Sequence, residues 1–195
     1  MTAITSAKSL RIVALGWGSL VWDGRNLPVI GGWSADGPEL PLEFARESAD
    51  RRMTLVIVEA QTVIPVLWTF LDVETLDQAV RVLADREGVP KPHVIGRWPN
   101  QTAVRYLHEE AIGRWAKRKN LNGVVWTALP PGMRSTRGVT PDLQEVKQHL
   151  ETLDNTARMK AAEYIMRAPS QIKTAYRSEL ESLSNIRERK SHAHD

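Results

Sequence analysis

Cysteine is absent from the 195 residues, which excludes a disulfide framework, a thiolate zinc site and a cysteine nucleophile, and fits a reducing compartment. Long apolar runs are missing too. Those around Val56 and Val124 are far too short to span a bilayer, and Met1 to Ser9 holds no apolar leader stretch, so the sequence reads as soluble and cytoplasmic. Charge of one sign is nearly cancelled: 26 Lys and Arg face 23 Asp and Glu, a formal net charge of +3. The basic residues are scattered, which argues against direct nucleic-acid binding. Lys117, Arg118 and Lys119, with Arg134 and Arg137, leave a nucleic-acid accessory role as a third and weaker reading.

Metal-ligand spacing is also lacking. His108-Glu109-Glu110 is followed by Ile112 where a second histidine would complete a zinc motif, His93 and His149 stand alone, and His192 and His194 lie in a polar tail. No metal and no cofactor are expected. No Gly-x-Ser-x-Gly elbow exists to make Ser19 a nucleophile.

What the chain does contain is enough apolar sequence, 42%, to bury one sizeable core. Leu10 to Leu15 is a short apolar run stopped by Gly16 and Gly18, the pattern of a buried strand feeding a glycine loop. Trp22 to Leu42, dense in Gly and Pro, reads as a long irregular connection. Met53–Val58 and Val63–Leu71 are β-branched and aromatic, separated by four residues, and read as a hairpin with Pro65 at an edge or bulge. Thr75–Arg86 has helical spacing and ends before Gly88. After a Pro90–Pro99 loop, Val104, Leu107, Ala111, Ile112 and Trp115 form a second helical stripe, and Gly123–Ala128 is strand-like.

Beyond Pro130-Pro131-Gly132 come three helical stretches, with stripes Leu143, Val146, Leu150 and Leu153, then Ala157, Ala161 and Ile165, then Ile172, Ala175, Tyr176 and Leu180. The order is that of an α+β domain. The expected organisation is a single domain over 1–195: a flexible start at 1–9, a core at 10–130, C-terminal helices at 140–186 and a polar tail at 187–195.

Glycines in Gly16-Trp17-Gly18-Ser19-Leu20 let successive N–H groups converge on an anion such as a carboxylate without Cβ hindrance. The pattern is neither a dinucleotide fingerprint nor a Walker loop. Trp17 and Trp22 border it and offer walls for a pocket. In Leu42–Ser48, strand alternation puts Phe44 and Arg46 inside and Glu43 outside, so Arg46 could meet a substrate carboxylate or pair at the surface with Glu43 or Asp50.

Gly16-Trp17-Gly18-Ser19-Leu20-Val21-Trp22 resembles the Tyr-Gly-Ser-Leu-Ile-Trp signature of the gamma-glutamylcyclotransferases, and is most similar to the cation-transport-regulator type. The resemblance runs on through Phe44-Ala45-Arg46-Glu47-Ser48, Met53-Thr54-Leu55-Val56 and Val66–Leu71, and reaches Arg86-Glu87-Gly88. It departs at Trp17, where the signature has tyrosine, and at Val89-Pro90.

The resemblance implies a barrel-like mixed sheet with flanking helices and the glycine loop at its mouth. It also implies an enzyme acting on a small gamma-glutamyl amide or peptide, with Glu87 as catalytic base and Gly16, Trp17, Gly18, Ser19, Leu20, Trp22 and Arg46 at the substrate. The substrate's own α-amine would attack its side-chain carbonyl, closing 5-oxoproline and expelling an amine, so no protein nucleophile is needed. Arg86, next to Glu87 on a helix, is expected to face away from it. A non-catalytic module binding a small carboxylate ligand or a partner protein on the same fold is the alternative.

Overall fold

The computed structural model describes residues 10–89 and 92–183. Pro90, the start at 1–9 and the tail from 184, with His192 and His194, lie outside the described residues. The architecture is mixed α+β. A five-stranded sheet has the order β2-β7-β1-β9-β8, built from β1 (Ile12–Gly16), β2 (Val29–Ser34), β7 (Leu67–Leu71), β8 (Ile95–Trp98) and β9 (Gly123–Thr127). β1 runs parallel to β9 and antiparallel to β7, and β2 and β8 close the two edges antiparallel. Two ribbons stand beside the sheet: β3 (Glu39–Leu40) with β6 (Ile64–Pro65), and β4 (Leu42–Glu47) with β5 (Met53–Ile57). The strand pairing is that of an open sheet with two ribbons, where a barrel-like closure was expected.

β1 is buried along its whole length because both faces of the sheet are covered. Ile12 and Ala14, with Val125, face α1 (Leu76–Glu87) through Ala79, Val80 and Leu83. Val13 and Leu15, with Val124 and Trp126, face α2 (Glu109–Arg118), α3 (Leu143–Glu151) and α4 (Asn155–Arg167) through Ile112, Trp115, Val146, Leu150, Ala161 and Ile165. The two-residue period of the strand thus sorts one short run into two cores.

Local signals set α1. The Thr75 side chain accepts the Gln78 N–H as N-cap, and Gly88 ends the helix in the left-handed region at φ 65°, a conformation glycine adopts without penalty. The helix ends as its stripe predicts. The first two C-terminal stripes also pack inward; in the third, Ile172 and Leu180 are fully buried but Ala175 is exposed, and the helix covers only 177–183, so Ile172, Ala175 and Tyr176 precede it.

Four further readings are corrected. Met53–Val58 and Val63–Leu71 do not pair: β5 pairs with β4 across a turn in which Ser48 Oγ donates to Asp50 Oδ1 at 2.7 Å and the Ser48 N–H to Arg52 O at 2.9 Å. That turn fixes β5's partner, and β7 goes to β1 and β2. The stretch from Trp22 to Leu42 contains β2, whose glycines fall in an irregular register at the sheet edge, where they are tolerated. The Pro90–Pro99 loop contains β8. The second helix begins at Glu109, after a left-handed His108, so Val104 and Leu107 stay outside it and exposed.

Candidate active site

β1 delivers the glycine loop to one end of the sheet, and the chain then makes a tight 3-10 turn over Ser19–Val21. In that turn the Gly18 carbonyl accepts the Val21 N–H at 2.9 Å and the Ser19 carbonyl accepts the Asp23 N–H at 2.8 Å. The first N–H groups of such a turn have no partner inside it. The last turn of α1 meets this loop. Arg86, buried to 6% exposure, donates through Nε and Nη2 to Asp23 O at 3.1 and 2.6 Å and through Nη2 to Ser19 Oγ at 3.2 Å. Its Nη1 donates to Glu87 Oε1 at 2.8 Å.

The expected separation of Arg86 from Glu87 is therefore wrong. Adjacent helical residues point about 100° apart, yet the loop anchors the far end of the long Arg86 side chain, and that anchor swings Nη1 onto the carboxylate. The pair is sheltered, with side-chain exposures of 5% and 16%.

Beside the loop lies a cavity of about 410 Å³ lined by Ser19, Trp22, Asp23, Arg25, Arg52, Lys160, Glu163, Tyr164 and Arg167. Its chemistry is cationic with interleaved acids. Arg25 pairs with Asp23 at 3.7 Å and donates to Arg86 O at 2.9 Å, Arg52 pairs with Asp50 at 2.8 Å, and Arg167 pairs with Glu163 at 2.9 Å. The Arg167 guanidinium also stacks over Trp22, 5.4 Å from the ring centroid. Lys160, Tyr164 and Arg167 come from one face of α4, at helical spacing i, i+4, i+7.

Not every residue named from the sequence faces this cavity. Ser19 and Trp22 line it. Trp17 turns into the core, where its indole N–H donates to Leu55 O at 3.1 Å, and Leu20 is buried in the α1 core. Gly16 packs against the Trp33 ring and Gly18 against Tyr164. Glu87 is not on the wall; it reaches Ser19 through Arg86.

Arg46 is held elsewhere, its Nη1 donating to Pro130 O at 2.7 Å. Burial, with Arg137 nearby, lowers its pKa to about 10. Its expected partner Glu43 is not at the surface. Glu43 keeps a regular register opposite Val56, but its face of the ribbon is covered by the segment at Tyr176, and it is buried, accepting the N–H groups of Phe44 at 2.8 Å and Tyr176 at 3.2 Å. Burial raises its pKa and these N–H groups oppose the rise. Asp50 pairs with Arg52 instead of Arg46.

Arg25, Arg52, Lys160, Tyr164 and Arg167 were not anticipated. The i, i+4, i+7 spacing on α4 could have found three of them, but it adjoins the apolar stripe Ala157, Ala161, Ile165, which drew the reading to the core. Among the described residues, no group of three or more His, Cys, Asp or Glu could hold a metal, and no helix is long and apolar enough to cross a membrane.

No family model matches the chain, and neither does any curated protein. Among solved structures, the chain is similar to a crystal structure of a gamma-glutamyl cyclotransferase specific to glutathione from yeast. The TM-score is 0.42 at 12% identity, over 91% of this chain and 99% of that one.

Proposed function

We propose that this chain is a gamma-glutamylcyclotransferase-like enzyme that closes a gamma-glutamyl amide or peptide to 5-oxoproline and releases an amine. The observation that carries this reading is the Arg86 guanidinium. It hydrogen-bonds both Ser19 Oγ, at 3.2 Å, and Glu87 Oε1, at 2.8 Å, so residues that the sequence resemblance puts in one site share a single buried cation.

In the proposed reaction the substrate carboxylate lies against Arg25, Arg52, Lys160 and Arg167, displacing the exposed acids that now pair with them. The α-amine, lined up with its own side-chain carbonyl, attacks to form the ring, and effective molarity supplies much of the acceleration, on the order of 10⁵ M or more. Glu87 takes a proton from that amine. Arg86 occupies Oε1 only, and among the described residues no protein donor reaches Oε2. As an orienter Arg86 fixes the carboxylate. A positioned base contributes about 10² to 10⁴ in rate. This chemistry calls for no redox or group-carrying cofactor, and it suits a small-molecule substrate in the cytoplasm.

The same ion pair favours the alternative, a non-catalytic module that binds a small carboxylate ligand. An Arg86–Glu87 bridge can serve only to fix the loop, with Glu87 set back from the cavity wall. The experiment that separates the two is 5-oxoproline release by the wild-type protein from glutathione, gamma-glutamyl amino acids and gamma-glutamyl amides. Turnover of at least one is expected. Inertness on all of them, with retained binding of a carboxylate ligand, would select the module.

A further inference from the structure

Tyr164 is a phenol that the reaction as drawn leaves unused. Its ring is wedged on α4 between Trp22 and Phe44, edge-on at centroid distances of 5.4 and 6.4 Å, with the Arg52 guanidinium 5.3 Å from its centroid. Its oxygen accepts the Leu55 N–H at 3.3 Å, and among the described residues no acceptor takes its proton. The oxygen also presses on the glycine loop. A Cβ on Gly18 would sit 2.2 Å from it, so this position needs glycine because of the close approach of the hydroxyl. Burial pushes the phenol's pKa up to about 12, and Glu87 is close enough to add to the rise while Arg52 and Arg86 oppose it.

A hydroxyl that accepts one bond from the chain and has its own proton unspent is a neutral donor held in a fixed direction. The raised pKa keeps it protonated throughout the range in which a carboxylate or an α-amine titrates. The arginines and the lysine of the cavity carry full charge and suit a group that is already an anion. A neutral donor, sheltered and aimed beside glycine backbone, suits an oxygen whose charge develops only during the reaction.

We propose that the Tyr164 hydroxyl is the oxyanion donor of this site, hydrogen-bonding the gamma-glutamyl carbonyl oxygen as the α-amine attacks. The assignment rests on the cyclotransferase reading. As the new C–N bond forms, the carbonyl π pair moves onto oxygen, which Tyr164 stabilises without surrendering its proton. When that pair returns, the old C–N bond breaks and the leaving amine departs with the proton that the base took from the attacking nitrogen.

Tyr164→Phe keeps the ring and deletes only the oxygen. On a gamma-glutamyl substrate that the wild type turns over, its kcat should fall about 10²- to 10³-fold while KM moves less than about threefold. The variant leaves the Leu55 N–H without its acceptor in either case, so the thermal midpoint falls whatever the hydroxyl's role; a merely structural tyrosine would leave kcat unchanged, and that overturns the proposal. So does a raised KM at constant kcat, which would make the hydroxyl a ground-state contact. Should the phenylalanine variant not fold, 3,5-difluorotyrosine at 164 keeps every contact and strengthens the donor. An altered kcat is then expected, and an unchanged one overturns the assignment. A wild type inert on every gamma-glutamyl substrate removes the cyclotransferase reading and this proposal together, whereas an active wild type matched by Tyr164→Phe removes the proposal alone.

Discussion

Two arginine-rich regions of the molecule use the same side chain in opposite ways. Between β4 and the loop that follows β9, the guanidinium groups are held chiefly by main-chain oxygens: Arg46 by Pro130, Arg137 by Gly132 and Glu47, and Arg134 by Ser48 and Ala49, with the buried Glu47 carboxylate 3.7 Å from Arg134. Around the cavity, Arg52 and Arg167 pair instead with Asp50 and Glu163, and Arg25, which also donates to Arg86 O, with Asp23; these carboxylates are 40%, 61% and 53% exposed. A carbonyl in a packed loop cannot leave, whereas a solvated carboxylate can swing out and be replaced by a ligand's. Solvated pairs of this kind are worth little, about 0–1 kcal/mol, so exchange is cheap. The first region is a clamp and the second, in the proposed reading, a receptor. Charge alone does not tell them apart, and Arg46, the sequence's candidate for a substrate carboxylate, sits in the clamp.

Arg86 is the most deeply committed cation beside the cavity, and its removal should have the largest effect. Arg86→Met leaves Asp23 O, Ser19 Oγ and Glu87 without their shared partner and should cost about 3–5 kcal/mol in urea unfolding. A loss under about 1 kcal/mol would mean that the loop does not depend on the bridge. Arg137→Met tests the clamp: losing charge-assisted bonds to Gly132 O and Glu47 O should cost about 1–3 kcal/mol and leave KM for a gamma-glutamyl substrate unchanged. Lys160→Ala tests the receptor. Its stability should stay within about 0.5 kcal/mol of wild type while KM rises and loses part of its salt dependence. The reverse pattern, a KM effect at Arg137 and a stability effect at Lys160, would dissolve the contrast.

What the sequence made legible is what local chemistry decides. The run Leu10–Leu15 stopped by glycine is β1 and its loop, and Thr75 and Gly88 bracket α1 because a cap and a left-handed glycine act within one helical turn. Pairing partners were not legible. β5 and β7 look like a hairpin until the Ser48–Arg52 turn gives β5 to β4, and only the whole sheet shows that β2, with Gly31 and Gly32, and β8, between prolines, have strands to lie against.

The candidate site divides the same way. Ser19 and Trp22 follow from the loop itself, whereas Tyr164 enters from a helix that the sequence places more than a hundred residues downstream, and it meets Leu55, 109 positions away. Trp17 was misplaced because a tryptophan beside a glycine loop suits a pocket wall as well as a core, and only the Leu55 carbonyl that accepts its N–H decides between them.

The central claim is that Glu87 is a base and the cavity beside it a place where a gamma-glutamyl group cyclises. The direct measurement is 5-oxoproline release by Glu87→Gln against wild type, with thermal midpoints recorded on the same preparations. The amide retains an oxygen for the Arg86 hydrogen bond but cannot accept the amine's proton. The account predicts release reduced by about 10² to 10⁴, into the background, with the protein still folded. Release equal to wild type would remove Glu87 from the mechanism and leave the Arg86–Glu87 bridge as a fastening for the loop.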